Sequence, residues 1–124
     1  MRPILIVDDE FGIVEALRDL LADEGYRTLI AFNGREALAR MAEERPSLVL
    51  LDYMMPVMDG RELIREMQAD ARWRAIPVVV MSAVPRSILT RDTPLDCADF
   101  FQKPFDLWKL LDRIRELAGP DESG

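Results

Sequence analysis

Leu48-Val49-Leu50-Leu51-Asp52, running on into Tyr53-Met54-Met55-Pro56-Val57-Met58-Asp59-Gly60, is the stretch that decides the fold. An aliphatic run without alternation is the pattern of a strand buried on both faces, and such strands belong to parallel sheets covered by helices on each side. Asp52 stands where that strand opens into a loop with turn-forming Pro and Gly, at the rim of the sheet where chemistry can reach it. The pattern recurs along the chain. Ile4-Leu5-Ile6-Val7 ends in Asp8-Asp9-Glu10, Val78-Val79-Val80-Met81 ends in Ser82, and Phe100-Phe101 leads to Lys103-Pro104. Each apolar segment finishes on a residue suited to phosphate or metal chemistry.

Amphipathic segments separate these runs. Phe11 to Asp23 places Ile13, Val14, Leu17, Leu20 and Leu21 on one helical stripe and is stopped by Gly25. Thr28 to Ala31 reads as the second strand. Asn33-Gly34 then caps a helix to about Glu44, ended by Pro46. Arg61 to Ala69 and Phe105 to Ala118 read as two further helices, with the first strand at about Pro3 to Val7. Strands one, three and four are expected to be central, and Ala98 to Gln102, which mixes Asp99 with two phenylalanines, suits an edge. Between Ser82 and Phe100, Pro85 and Pro94 leave room only for a short or irregular fourth helix, with Pro85 in its first turn. The whole is an α/β, doubly wound domain with a parallel sheet.

Composition narrows the function classes. A chain of 124 residues, 49% hydrophobic, suits one domain with one sizeable core. The net charge of -7 disfavours direct nucleic-acid binding, which relies on clustered Lys and Arg. With no histidine, Ser-His-Asp catalysis, His-ligated metal sites and a phosphohistidine on this chain are excluded. The apolar runs are too short for membrane insertion and no signal-peptide pattern is present, so a cytoplasmic location is expected. The lone Cys97 cannot close an intramolecular disulfide, in keeping with a reducing compartment, and reads as a buried small residue.

Ligands of open α/β sheets bind beyond the carboxyl ends of the strands, where Asp8, Asp9, Asp52, Ser82 and Lys103 all fall. Carboxylates converging there repel one another unless a cation intervenes, which implies a hard divalent ion, best Mg2+. Lys103 can pair with a carboxylate at rest and with a phosphoryl oxygen during reaction, while the Ser82 hydroxyl donates to another oxygen. That set is complete for phosphoryl transfer to Asp52. Each residue alone has a blander role: Asp9 as a helix cap, Asp52 as a turn residue, Ser82 as a loop hydroxyl, Lys103 as a solvated edge charge. Their conjunction at four strand ends is what one phosphoryl site explains.

Ile-Leu-Ile-Val-Asp-Asp-Glu at 4 to 10, Asp-Tyr-Met-Met-Pro-Val-Met-Asp-Gly at 52 to 60, Met-Ser-Ala at 81 to 83 and Lys-Pro-Phe at 103 to 105 together resemble the receiver domain of two-component response regulators, of the chemotaxis-regulator kind. The resemblance implies a five-stranded, flavodoxin-like sheet of order 2-1-3-4-5 in a receiver domain over residues 1–118, with a polar tail at 119–124. It implies Asp52 as phosphoacceptor, with Lys103 and Ser82 completing the catalytic set. Asp8, Asp9, Asp52 and the Met54 carbonyl would hold Mg2+, with Asp8 acting mainly through water. Ser82 and Phe101 would be the switch pair, and Pro104 would follow a cis bond.

The implied function is a phosphorelay switch. It would be charged by a sensor histidine kinase or phosphotransfer protein, would signal to a downstream protein, and would turn over no separate substrate. Two rivals stand beside it. A Mg2+-dependent phosphohydrolase usually needs an acid two residues beyond the nucleophile, where this chain has Met54, and a pseudo-receiver would have lost site residues that are all present here. The sequence departs from the family at Ala83 to Cys97, where no clear amphipathic helix is written and Cys97 replaces a usual glycine. Apolar Met54 and Val84 beside the site cannot orient an attacking water, so a long-lived phosphoryl group is expected.

Overall fold

A computed structural model describes residues 2–119; the expected polar tail, Gly119 apart, lies outside the described residues. Strands and helices alternate: β1 (Ile4–Val7), α1 (Phe11–Asp23), β2 (Thr28–Ala31), α2 (Gly34–Glu43), β3 (Leu48–Asp52), α3 (Gly60–Ala69), β4 (Val78–Ser82), α4 (Arg86–Leu89), β5 (Asp99–Gln102) and α5 (Leu107–Ala118). All strand pairs are parallel, in the order β2-β1-β3-β4-β5. The chain runs outward from β1 to β2 and then returns to β3, so the direction of winding reverses between β1 and β3. The crevice beyond those two strands is where open sheets of this kind bind ligands.

The aliphatic runs explain the layers. Side chains alternate across a strand, so Ile4, Ile6, Leu48, Leu50, Val79 and Met81 line one face and pack on Val14, Leu17 and Leu21 of α1 and Leu110, Leu111 and Ile114 of α5. Leu5, Val7, Val49, Leu51, Val78 and Val80 line the other, against Ala37 and Met41 of α2 and Leu63, Ile64 and Met67 of α3. β1, β3 and β4 are buried throughout, whereas most of β2 and β5 is half-exposed at the edges.

Helix starts follow local chemistry. The Asn33 side chain accepts from the Glu36 amide at 2.9 Å, and Glu36 in turn accepts from the Phe32 amide at 3.0 Å, two backbone donors satisfied at the head of α2. Asp59 accepts from the Glu62 amide at 2.9 Å to start α3. The last helix begins at Leu107, two residues later than its periodicity predicts. Asp106 acts as its cap, accepting from the Trp108 amide at 2.8 Å, and the Phe105 ring turns back to meet Phe101 edge-on at 5.8 Å. Pro85 stands just before α4 rather than inside its first turn, and α4 is a single turn with no buried residue.

The β3–α3 loop carries two backbone constraints. A Cβ at Gly60 would lie 2.9 Å from the Tyr53 Cα, so only glycine lets α3 start this close to the exit of β3. Val57 adopts φ 69°, a left-handed conformation that is costly for a β-branched residue, and its side chain is exposed. Val57→Gly therefore relieves strain without removing core contacts. It should raise unfolding free energy by about 1 kcal/mol, after allowing for the greater freedom of glycine in the unfolded chain. Chemical denaturation of the two proteins checks this; a loss of stability would contradict the strain.

Candidate functional site

The register of the sheet assembles the site. Val7 pairs with Leu51, so Asp8 and Asp52, each one residue further on, come out side by side at the switch point. Asp52 pairs with Met81 and Ser82 with Gln102, which brings Ser82 and Lys103 to the same rim from β4 and the exit of β5. The Lys103 amide donates to the Ser82 carbonyl at 2.8 Å, and the Lys103-Pro104 bond is cis. Asp8 and Ser82 are fully buried and Asp52 is 4% exposed.

One ammonium serves three carboxylates. Lys103 Nζ lies 3.4 Å from Asp8 Oδ2, 3.7 Å from Asp52 Oδ1 and 3.7 Å from Glu10 Oε1. Backbone amides assist: Glu10 N–H donates to Asp8 Oδ1 at 2.9 Å and Met54 N–H to Asp52 Oδ1 at 3.3 Å. These do not balance the charge. Burial, and then the neighbouring Asp8, push the Asp52 carboxyl up to about 7 against the pull of Lys103. Burial also raises Asp8, opposed by the Glu10 amide and Lys103. Burial works against the Lys103 charge as well, yet the carboxylates of Asp8 and Asp52 hold its ammonium above the usual lysine range.

Carboxylate oxygens of Asp8, Glu10 and Asp52 lie within 4.8 Å of one another, an all-oxygen donor set with excess negative charge that suits a hard divalent cation. Of the expected metal residues, the structure brings Asp8 and Asp52 together. Asp9 is exposed, lies outside this cluster and does not cap α1, though its charge adds to the rise at Asp52. Glu10, at the head of α1, takes the third place, a role the sequence did not signal beyond its position after Asp8-Asp9. The Met54 side chain is exposed. The buried Ser82 hydroxyl oxygen accepts from the Val84 amide at 3.0 Å, and Phe101 is half-buried on β5.

The model of the response regulator receiver domain matches residues 4–115. The chain belongs to that family. The receiver is 40% identical over 116 residues to response regulator MprA of Mycolicibacterium vanbaalenii, covering 92% of this chain and 49% of that protein. It thus spans about half the length of that regulator. It is 38% identical over 114 residues to sporulation initiation phosphotransferase F of Bacillus subtilis, covering 91% and 90% of the two chains. Among solved structures it is similar to the signal receiver domain of a signal transduction histidine kinase from Syntrophus aciditrophicus, with TM-score 0.87, 32% identity, and 100% and 95% of the two chains covered. It is also similar to the receiver domain of a Pseudomonas aeruginosa sensor histidine kinase whose structure has a magnesium ion coordinated in the active-site cleft, with TM-score 0.84, 25% identity, and coverage of 95% and 98%.

Near the receiver's acidic pocket Phe11 and Phe32 are exposed and stacked, their ring centres 6.4 Å apart. Cys97 is half-buried rather than buried, and burial pushes its thiol up. No helix among the described residues is long and apolar enough to cross a membrane.

The raised Asp52 carboxyl has a stability consequence. Its folded-state value of about 7 exceeds the ordinary 3.8, so between those limits the native state binds more protons than the unfolded chain, and stability contributed by this group falls as pH rises. Asp52→Asn removes the buried charge. Without divalent cations its stability advantage should grow from near zero at pH 4 to about 1–2 kcal/mol at pH 7.5, less than the full shift implies because solvent screens the rim. Parallel stability curves for the two proteins across that range would contradict the assignment.

Proposed function

We propose that the chain is a phosphorylatable signalling switch whose acceptor is Asp52, charged from the phosphohistidine of a sensor histidine kinase or phosphotransfer protein. The observation that carries this reading is the buried Asp52 carboxylate held 3.7 Å from the Lys103 ammonium at the sheet's switch point, with Asp8 beside it and Ser82 at the end of the next strand. An Asp52 oxygen attacks the phosphorus and the nitrogen–phosphorus bond of the donor breaks, leaving an acyl phosphate on Asp52 and a free imidazole on the donor. Lys103 is placed to follow the charge onto the transferred oxygens. A divalent cation, Mg2+ by its preference for carboxylates and phosphoryl oxygens, would neutralise charge on those oxygens when held by Asp8 and Asp52, with Glu10 in reach; Asp9 and the Met54 carbonyl are the further ligands that the family resemblance implies.

The switch follows from the same chemistry. Phosphorylation adds roughly one and a half to two negative charges at the rim. Ser82 turns its hydroxyl to a phosphoryl oxygen and gives up the Val84 amide, and Phe101 moves inward into the space so vacated. Output passes through contacts with another protein rather than with nucleic acid, in keeping with the net charge of -7. Met54 and Val84 offer no group to activate water, which favours a slow return and weighs against turnover of a separate substrate.

The test is phosphoryl uptake. With acetyl phosphate and Mg2+, intact-mass measurement should find one phosphoryl group on the native chain and none on Asp52→Asn, and removal of Mg2+ should reduce uptake at least about tenfold. Lys103→Ala should slow uptake by about 100-fold. Undiminished labelling of Asp52→Asn would sink the assignment, and loss of the phosphoryl group within seconds of donor removal would overturn its slow return.

A further inference from the structure

The segment between Ser82 and β5 ought to be poorly held. Its helix is one turn long, Ile88 is exposed, and among the described residues Leu95 is its only buried apolar side chain, with Cys97 packed partly against the core. A packed amphipathic helix would bury a stripe of apolar residues here. What adds to this thin packing is one guanidinium. Arg61, the second residue of α3, donates from Nη2 to the carbonyl of Leu89 at 2.6 Å and to that of Thr93 at 3.4 Å, and from Nη1 to that of Pro94 at 3.0 Å. The Leu89 carbonyl is one of those left without a partner at the end of a helix, which a cation satisfies well.

The fourth contact gives the arrangement a direction. Arg61 Nε donates to the Tyr53 hydroxyl at 3.0 Å, and the guanidinium carbon lies 5.9 Å from the centre of the Tyr53 ring. Tyr53 is the residue after Asp52. Its own backbone is fixed, the amide donating to the Met81 carbonyl at 3.0 Å and the carbonyl accepting from the Gly60 amide at 2.9 Å. The segment is therefore tied to the rim at two points: near Ser82, through the Val84 amide, and near its middle, through Arg61 and Tyr53.

We propose that Arg61 is a positioning residue that clamps the 86–97 segment to Tyr53, standing in for the packing of a full fourth helix and confining the response to phosphorylation to the end near Ser82. Lysine cannot replace it, because a single ammonium lacks the planar fork that reaches three carbonyls and a phenol together. The part of the proposal that concerns phosphorylation rests on Asp52 as acceptor; the clamp itself does not.

Amide hydrogen exchange on the unphosphorylated chain and on the chain treated with acetyl phosphate and Mg2+ tests both parts, with intact mass reporting uptake in the same samples. Before phosphorylation, Arg61→Ala and Arg61→Lys should each exchange at least about fivefold faster over residues 88–98 than the native chain, with the central strands unchanged. Tyr53→Phe keeps the ring and the carbonyl contacts but loses the phenol, so protection before phosphorylation should stay within about twofold of native. After phosphorylation the 84–97 segment of the native chain should loosen only over residues 84–88, whereas in Tyr53→Phe it should loosen through residue 97. A purely structural Arg61 would not produce that split. Native-like exchange over 88–98 in both Arg61 variants overturns the clamp, and a native-like response in Tyr53→Phe overturns the coupling. Absence of uptake in the native chain instead overturns the acceptor reading and leaves the exchange comparison before phosphorylation to decide the clamp.

Discussion

The Lys103 ammonium, set against the buried carboxylates of Asp8 and Asp52 and the exposed Glu10, is the interaction on which the rest of this receiver depends. One positive charge among three negative ones at the rim is an unbalanced arrangement, and it persists because the surrounding sheet holds Asp8, Asp52 and Lys103 in place. The imbalance is also what gives the site its chemistry. A carboxyl held near neutrality, with a cation beside it, is poised to respond to any charge that arrives there.

The scaffold that enforces this is made of ordinary parts. β1, β3 and β4 are aliphatic from end to end and buried on both faces, so a slip in register would carry polar residues into the core. Their alignment therefore aligns the residues at their ends. The region from Ala83 to Ala98 differs in kind, since it is held largely by hydrogen bonds to backbone carbonyls and by few apolar contacts. A rigid rim beside a weakly packed segment is a suitable pairing for a switch, because the charge change occurs in the first and the lower-stability element can answer it.

Much of this was legible in the chain itself. The ends of α1 and the span of β2 follow the periodicity and the breakers directly, and the unalternating runs marked the three central strands. The start of α5 departs from the periodicity because Phe105 has the right hydrophobic character for the helix, while the capping side chain of Asp106 sets the actual boundary. Asp8, Asp52, Ser82 and Lys103 could be singled out because each follows an apolar run. Glu10, Arg61 and Tyr53 could not, since a carboxylate in a turn, an arginine in a first helical turn and a tyrosine in a loop are common in surfaces with no function.

By itself the sequence determined the layer architecture, the central strands and the type of chemistry at their ends, since these depend on hydrophobic period and on residue identity close along the chain. Tertiary structure alone decided which carboxylates meet, with Glu10 in the cluster and Asp9 outside it, and how far burial displaces Asp52. It also decided that Arg61 reaches residues about thirty positions away. The physical reason is that charge balance and hydrogen-bond partnership are set by distances of a few ångströms across separate elements, and no local pattern encodes those distances.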